Sequence, residues 1–209
     1  MPTNFPTSVD NFTNPTANDS LNLPSHSTQH ANANDAIEAV ESYLLTEPMG
    51  LRLIKKQTIG SAVSLVTVTG AFSASYDNYK IMISGGAGTV GGTGAPFLFF
   101  TLGAASTGYY EARPRYAIGG SAQLFTTTNG GSFLVGGASP NGINANIELQ
   151  NPFLSKNTLH NSGIVNPTTA NIDMSYGYLN DTSSYTSFNF GPTAGTITGG
   201  TIYVYGYTI

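Results

Sequence analysis

The chain has 209 residues, a length that fits one or two domains. Only 9% of them are charged, against about 25% in ordinary globular chains; the net charge is −4, and cysteine and tryptophan are absent. These figures exclude a disulfide framework, a cysteine-based metal site and a thiol nucleophile, and seven scattered Lys and Arg make no basic patch for nucleic acid. No apolar run approaches the roughly 20 residues of a membrane span, so membrane insertion is not expected. Met1-Pro-Thr-Asn-Phe5 has neither the basic start nor the apolar stretch of a secretory leader, so none is expected. Gly, Thr, Ser and Asn fill the gap, which suits many short strands and turns.

The composition breaks near residue 50. No glycine occurs in residues 1–49, and all 25 lie from Gly50 onward. Residues 1–50 carry Asp10, Asp19, Asp35, Glu38, Glu41 and Glu47 and no Lys or Arg, a charge of −6; the remainder carries +2.

Residues 1–34 read as an extended arm. Pro2, Pro6, Pro15 and Pro24 remove backbone donors and push the residues before them toward extended conformations. Phe5, Val9, Phe12, Leu21 and Leu23 are too few for a core. Two readings fit: a disordered tail, or an arm that orders on a partner surface with each Phe in its own pocket. Within it His26 and His30 form an H-x-x-x-H pair. That spacing on a helix offers two nitrogens to one metal, but the pair precedes the predicted helix and has no nearby third ligand. The alternative is that both imidazoles bond the backbone and pin the arm.

Residues 35–47 read as one short helix, followed by a connector to residue 50. Asp35 and Glu38 have the spacing of a capping box, and Pro48 and Gly50 stop the helix. Ile37, Val40 and Leu44 form one apolar stripe. A helix this short is marginal alone, so the stripe must pack on the β-region or on copies of itself.

Residues 51–209 read as strands and turns. Candidate strands are 52–59, 62–69, 79–83, 97–102, 109–118, 123–127, 144–149, 171–179, 184–190 and 201–209. In the last, Ile202, Val204 and Gly206 face one way and the tyrosines the other. Gly-Gly pairs punctuate the region, and the pattern predicts a mainly β domain, a sandwich or a barrel.

Three segments carry a resemblance. Phe5-Pro-Thr-Ser-Val-Asp-Asn-Phe-Thr-Asn-Pro15, Ser25-His-Ser-Thr-Gln-His30 and Asn34-Asp-Ala-Ile-Glu-Ala-Val-Glu41, in this order, resemble a segment near the N-terminus of many tailed-bacteriophage tail and fibre proteins. Phe72-Ser-Ala-Ser-Tyr-Asp-Asn-Tyr-Lys80 resembles jelly-roll-type distal domains of phage fibres. The resemblance implies a structural virion protein, homotrimeric, on the tail or particle surface. Residues 1–34 would dock on another virion protein of baseplate, tail or capsid through Phe5, Val9, Phe12, His26 and His30. Residues 35–50 would meet their copies through Ile37, Val40 and Leu44. Residues 51–209 would form an antiparallel β-sandwich, jelly-roll-like, that touches the host surface. A capsid decoration or head fibre differs only in the partner of the arm.

Little in the sequence points to catalysis. Gly86-Ala-Gly88-Thr-Val-Gly91 spells a dinucleotide fingerprint, but an apolar strand from Phe97 follows where a phosphate-binding helix is needed, so no cofactor is expected. Glu111, Glu148, Asp173 and Asp181 are the acids available to a polysaccharide depolymerase, which needs two of them about 5–10 Å apart. Tyr109, Tyr110, Arg113, Arg115 and Tyr116 cluster in one segment. They offer stacking and forked donors to a host cell-surface glycan; the alternative is a core strand or a subunit interface.

Overall fold

The computed structural model describes residues 25–46, 50–89, 96–166 and 168–207, with Ser8, Ser20 and Asn22. The chain divides into two units, residues 1–50 and 51–209. The expected docking residues Phe5, Val9 and Phe12 lie outside the described residues.

Among its described residues the first unit holds a helix, α1, His26–Thr46. It starts nine residues before the predicted Asp35, so residues 26–34 are helix and not arm. Ser25 precedes the first turn, a residue type that caps helices, and its carbonyl accepts the Gln29 N–H at 3.0 Å. The expected start rested on the capping-box spacing of Asp35 and Glu38, with His-Ala-Asn-Ala-Asn before it read as arm. The interleaved alanines are the best helix formers and carry the helix through. The Asp35/Glu38 pair therefore lies inside the helix. Ile37, Val40 and Leu44 are exposed within this unit.

The second unit is a mainly β, antiparallel sandwich. Its strands are β1 (Leu51–Thr58), β2 (Val66–Val68), β3 (Asn78–Gly85), β4 (Ala87–Gly88) and β5 (Phe97–Leu102). There follow β6 (Tyr109–Ala117), β7 (Ala122–Gly130), β8 (Phe133–Ser139), β9 (Gly142–Gln150) and β10 (Thr158–Asn166). The last are β11 (Asn171–Leu179), β12 (Phe188–Pro192), β13 (Ile197–Thr198) and β14 (Thr201–Tyr207). Twelve of them form one hydrogen-bonded network that folds over at β9. One side of β9 pairs along its length with β3; on the other, residues 142–145 pair with β8 and residues 146–150 with β10.

Eight strands make the two layers, β1-β14-β3-β9 and β2-β12-β5-β8. Numbered among themselves, these run first-eighth-third-sixth and second-seventh-fourth-fifth, the order of a jelly roll. Two hairpins, β6–β7 and β10–β11, are inserted into it. They extend the first layer past β9 in the order β10-β11-β6-β7, as a four-stranded wing.

Alternation along the strands builds the core. Ile81 and Ile83, Ile147 and Leu149, Ile202 and Val204 face inward from one layer. Leu98, Phe100 and Leu102, Phe188 and Phe190 meet them from the other, with Phe100 stacked on Phe188 at 4.9 Å. Each such side chain contributes roughly 1.5–3 kcal/mol by leaving water. Gly136 has a steric role at the fold-over: a Cβ there would lie 2.2 Å from the Asn144 carbonyl oxygen, so only glycine lets β8 reach β9.

Two of the sheet's ends cap one another. The Lys55 ammonium of β1 donates to the Thr69 carbonyl, and the Gln57 amide donates to the Thr67 carbonyl at 3.2 Å, so β1 side chains cover the β2 edge. The third end, β7, pairs among the described residues only with β6.

Candidate functional site

The expected binding cluster on β6 is split between two faces. Successive strand residues point to opposite sides, so Tyr109, Glu111, Arg113 and Arg115 point inward while Tyr110 and Tyr116 point outward. Tyr109 is fully buried, and its hydroxyl accepts from the Leu102 N–H at 2.8 Å and donates to the Ala105 carbonyl at 3.2 Å. Arg113 and Arg115 both bind Asp173, whose side chain is 1% exposed. Both guanidinium groups lie over the rings of Phe97 and Phe125, 4.5–5.3 Å from their centroids. Tyr109, Arg113 and Arg115 are thus structural, and the expectation that they contact a glycan is corrected. On the outer face Tyr110 is stacked on Tyr178 at 5.0 Å and nearly parallel.

Behind this ion pair the wing's inner face is polar. Glu111 accepts the Leu134 N–H at 2.8 Å and lies 3.4 Å from Arg113. Burial pushes its carboxyl up, against the pull of that N–H and of Arg113. His160 packs on Phe133 at 4.0 Å, and its Nε2 meets the Ser175 hydroxyl at 2.9 Å. This is a serine–histidine contact, but both groups are buried, so it is a structural contact and not a nucleophile open to substrate.

Burial pulls the His160 imidazole down to about 3. The folded state keeps it neutral, while the unfolded chain binds a proton below about 6.5, so acid favours unfolding. From pH 6.5 to pH 5 the domain is expected to lose about 1.6 kcal/mol through this group. Glu111 acts in the opposite sense, since its raised value favours the folded state as pH falls toward the carboxylate range. Urea unfolding of the wild type and of His160→Gln at both pH values isolates the histidine, and the variant should show the shallower loss. Equal losses would contradict the assignment.

The wing's outer face is largely apolar. Tyr116, Ile172, Val165, Met174, Tyr176 and Leu159 are exposed there. Strand register sets Ile172 beside both Val165 and Tyr116, so these side chains are neighbours on that face. β7 adds an uncharged edge strand, exposed at residues 122–129. Natural edges of this length usually carry charge or proline, as β1 does with Arg52, Lys55 and Lys56.

Where the wing leaves the jelly roll, the outer face holds a cleft of about 340 Å³, lined by Asn78, Glu148, Leu149, Gln150, Asn161 and Tyr207. A second depression shares Glu148, Gln150 and Asn161 and reaches Leu159 and Tyr176. Strand register places these groups. Lys80 pairs with Glu148, Asn78 with Gln150, Glu148 with Asn161, and Asn161 with Tyr176. The Lys80 ammonium donates to Glu148 Oε1 at 2.7 Å and the Tyr207 hydroxyl to Oε2 at 2.6 Å. Burial, then the Glu148 carboxylate, pushes the Tyr207 hydroxyl up to about 12, so it remains a donor at physiological pH. Sequence reasoning named Glu148 alone of this set, as a catalytic acid. The outward phase of Lys80 and Glu148 is legible in alternation, but their meeting depends on register.

The other acids named from sequence lie elsewhere. Glu111 and Asp173 are on the buried face, and Asp181 is held by the Tyr185 and Ser183 hydroxyls. His26 and His30 share the first turns of α1, with Nε2 atoms 3.1 Å apart. The pair is thus on a helix and not before it. Among the described residues no group of three His, Cys, Asp or Glu side chains is placed to hold a metal ion. Ala87 and Gly88 of the apparent dinucleotide fingerprint form β4 and pair with β13, while residues 90–95 lie outside the described residues. Among the described residues no helix is long and apolar enough to cross a membrane.

Comparison with family models, with curated proteins and with solved structures finds no match.

Proposed function

We propose that this chain is a structural protein of a tailed-bacteriophage particle: a short homotrimeric fibre that docks by its N-terminal segment and turns its β-domain toward a host-surface glycan. What supports the reading is one chain joining an N-terminal segment that resembles those of phage tail and fibre proteins to a jelly roll enlarged by a wing with an open apolar face. The inserted hairpins add surface that the jelly roll does not need for its core, which is how sites are grafted onto common folds. Phe5, Val9 and Phe12 serve as docking anchors in this reading, with His26 and His30 where the segment enters α1. Ile37, Val40 and Leu44 leave a stripe on α1 that three parallel copies would bury. A capsid-mounted decoration or head fibre would share all of this and differ only in the arm's partner. Catalysis is not part of the reading: among the described residues the cleft is lined by one carboxylate, Glu148, where glycoside hydrolysis uses two.

Light scattering of the full chain is expected to give three chains per particle. Leu44→Glu together with Ile37→Glu should reduce this to one chain while the β-domain keeps its thermal midpoint. A monomeric wild type at micromolar concentration would overturn the trimer.

A further inference from the structure

We propose that the cleft between wing and jelly roll is a saccharide site, built around Glu148, that takes a neutral, hydroxyl-rich sugar. This rests on the host-recognition reading above and gives it a place and a ligand class.

The geometry is that of a prepared acceptor. Each Glu148 oxygen already receives one donor, Lys80 on Oε1 and Tyr207 on Oε2, so the carboxylate is oriented and its charge is compensated. A carboxylate has about four acceptor positions, so both oxygens can still receive hydroxyl donors from outside. Two adjacent hydroxyls of a sugar ring match two adjacent carboxylate oxygens. Around it, Asn78, Gln150 and Asn161 line the cleft, and no side-chain hydrogen bond joins any of them to another described residue. A primary amide both donates and accepts, which suits a hydroxyl that does the same.

The walls fit the same ligand. Tyr207 lines one part of the cleft and Tyr176 the adjoining depression. Strand register places Tyr176 two strands from Glu148, on β11 beyond β10. Neighbouring strands are about 4.8 Å apart, so this spacing admits a sugar ring between the tyrosine and the carboxylate. Tyrosine faces accept the C–H surfaces of a pyranose and hold little rotamer entropy. A uronic or sialic acid would bring its own carboxylate toward Glu148, so acidic sugars are disfavoured.

A stabilising role does not account for the arrangement. Partly exposed ion pairs contribute little to stability, yet here the pair is buttressed by a third group and surrounded by amides.

The test uses the full chain and surfaces that display galactose-, glucose- and rhamnose-based oligosaccharides at high density, with matched oligosaccharides ending in sialic or uronic acid. Binding to at least one neutral set is expected, with weaker binding to its acidic counterpart. Glu148→Gln and Asn161→Ala should each weaken it by about tenfold to a hundredfold, the loss expected for a hydrogen bond to a charged group or of its neighbour in the same network. Their thermal midpoints should match the wild type. Should one variant fail to fold, the other carries the test. Neutral binding that survives both substitutions would place the sugar elsewhere and leave host recognition standing. Preference for the acidic sets would overturn the ligand class. A wild type that binds none of the displayed saccharides would overturn the site, and the fibre reading would then be judged on the particle itself.

Discussion

Replacing Tyr109 with alanine is expected to lower the stability of the β-domain by about 3–5 kcal/mol, the usual cost of deleting a buried aromatic ring. The ring packs edge-on against Phe133 at 4.7 Å, and its hydroxyl joins the Leu102 N–H to the Ala105 carbonyl. Alanine opens a cavity and leaves a buried N–H unpaired. For a domain of this size the midpoint should fall by about 6–20 °C. Tyr109→Phe keeps the ring and removes only the bridge, so a loss of about 1–3 kcal/mol is expected. Tyr110→Ala, one residue away, removes only the outer stack on Tyr178 and should cost about 0.5–1.5 kcal/mol. Thermal denaturation of the three variants checks the ordering. Equal losses from Tyr109→Ala and Tyr110→Ala would contradict the inward and outward assignment of β6.

Asp173→Ala should be as damaging, at about 3–5 kcal/mol, by electrostatics and not by cavity. Asp173 receives Arg113 at 2.8 Å and Arg115 at 2.9 Å and 3.0 Å, with side-chain exposures of 1%, 10% and 17% respectively. Without the carboxylate, two guanidinium groups face each other between Phe97 and Phe125. Breaking one partner of a buried pair costs far more than replacing the whole group with apolar side chains. Asp173→Leu combined with Arg113→Met, Arg115→Met and Glu111→Gln, the last because Glu111 lies 3.4 Å from Arg113, should therefore recover most of the loss. Chemical denaturation of the single and quadruple variants measures it. A quadruple variant as unstable as Asp173→Ala would mean that the cost lies in packing and not in uncompensated charge.

Much of the β-domain was legible because its strands obey a simple alternation. The reading of residues 171–179 matches β11, and Ile202, Val204 and Gly206 of β14 are buried opposite the half-buried tyrosines, as the period of two requires. Phe97–Leu102 is β5 at both ends. Two central strands were missed. β8 contains Gly136 and Gly137, which read as a turn, although there glycine serves close approach at the fold-over. β10 is rich in Asn, Ser and Gly, and polar residues face inward along it beside the wing's ion pairs. Local propensity could not find strands whose place is set by their neighbours. The helix start was misplaced for a related reason: an Asp–Glu capping pattern outweighed the interleaved Ala31 and Ala33.

The cleft was illegible in principle. Asn78, Lys80, Glu148, Asn161, Tyr176 and Tyr207 come from five strands, and only the register of β3, β9, β10, β11 and β14 brings them to one place. The β6 cluster failed in the opposite way: Tyr109, Tyr110, Arg113 and Arg115 are neighbours in sequence, and the pleat separates them. A one-dimensional cluster on a strand always straddles two faces, so it names two environments and not one.

Under the proposed function this chain is carried on a phage particle with its N-terminal segment inward. An electron-microscopy map of the purified particle tests it most directly, compared with a map of particles made with a chain lacking residues 1–24, a cut that spares α1. Three copies per fibre are expected, with the N-terminal segment against a tail or capsid protein, the wing facing outward, and the fibre gone from the truncated particles. Truncated chains that still assemble onto the particle, or particles in which the full chain is absent, would contradict it.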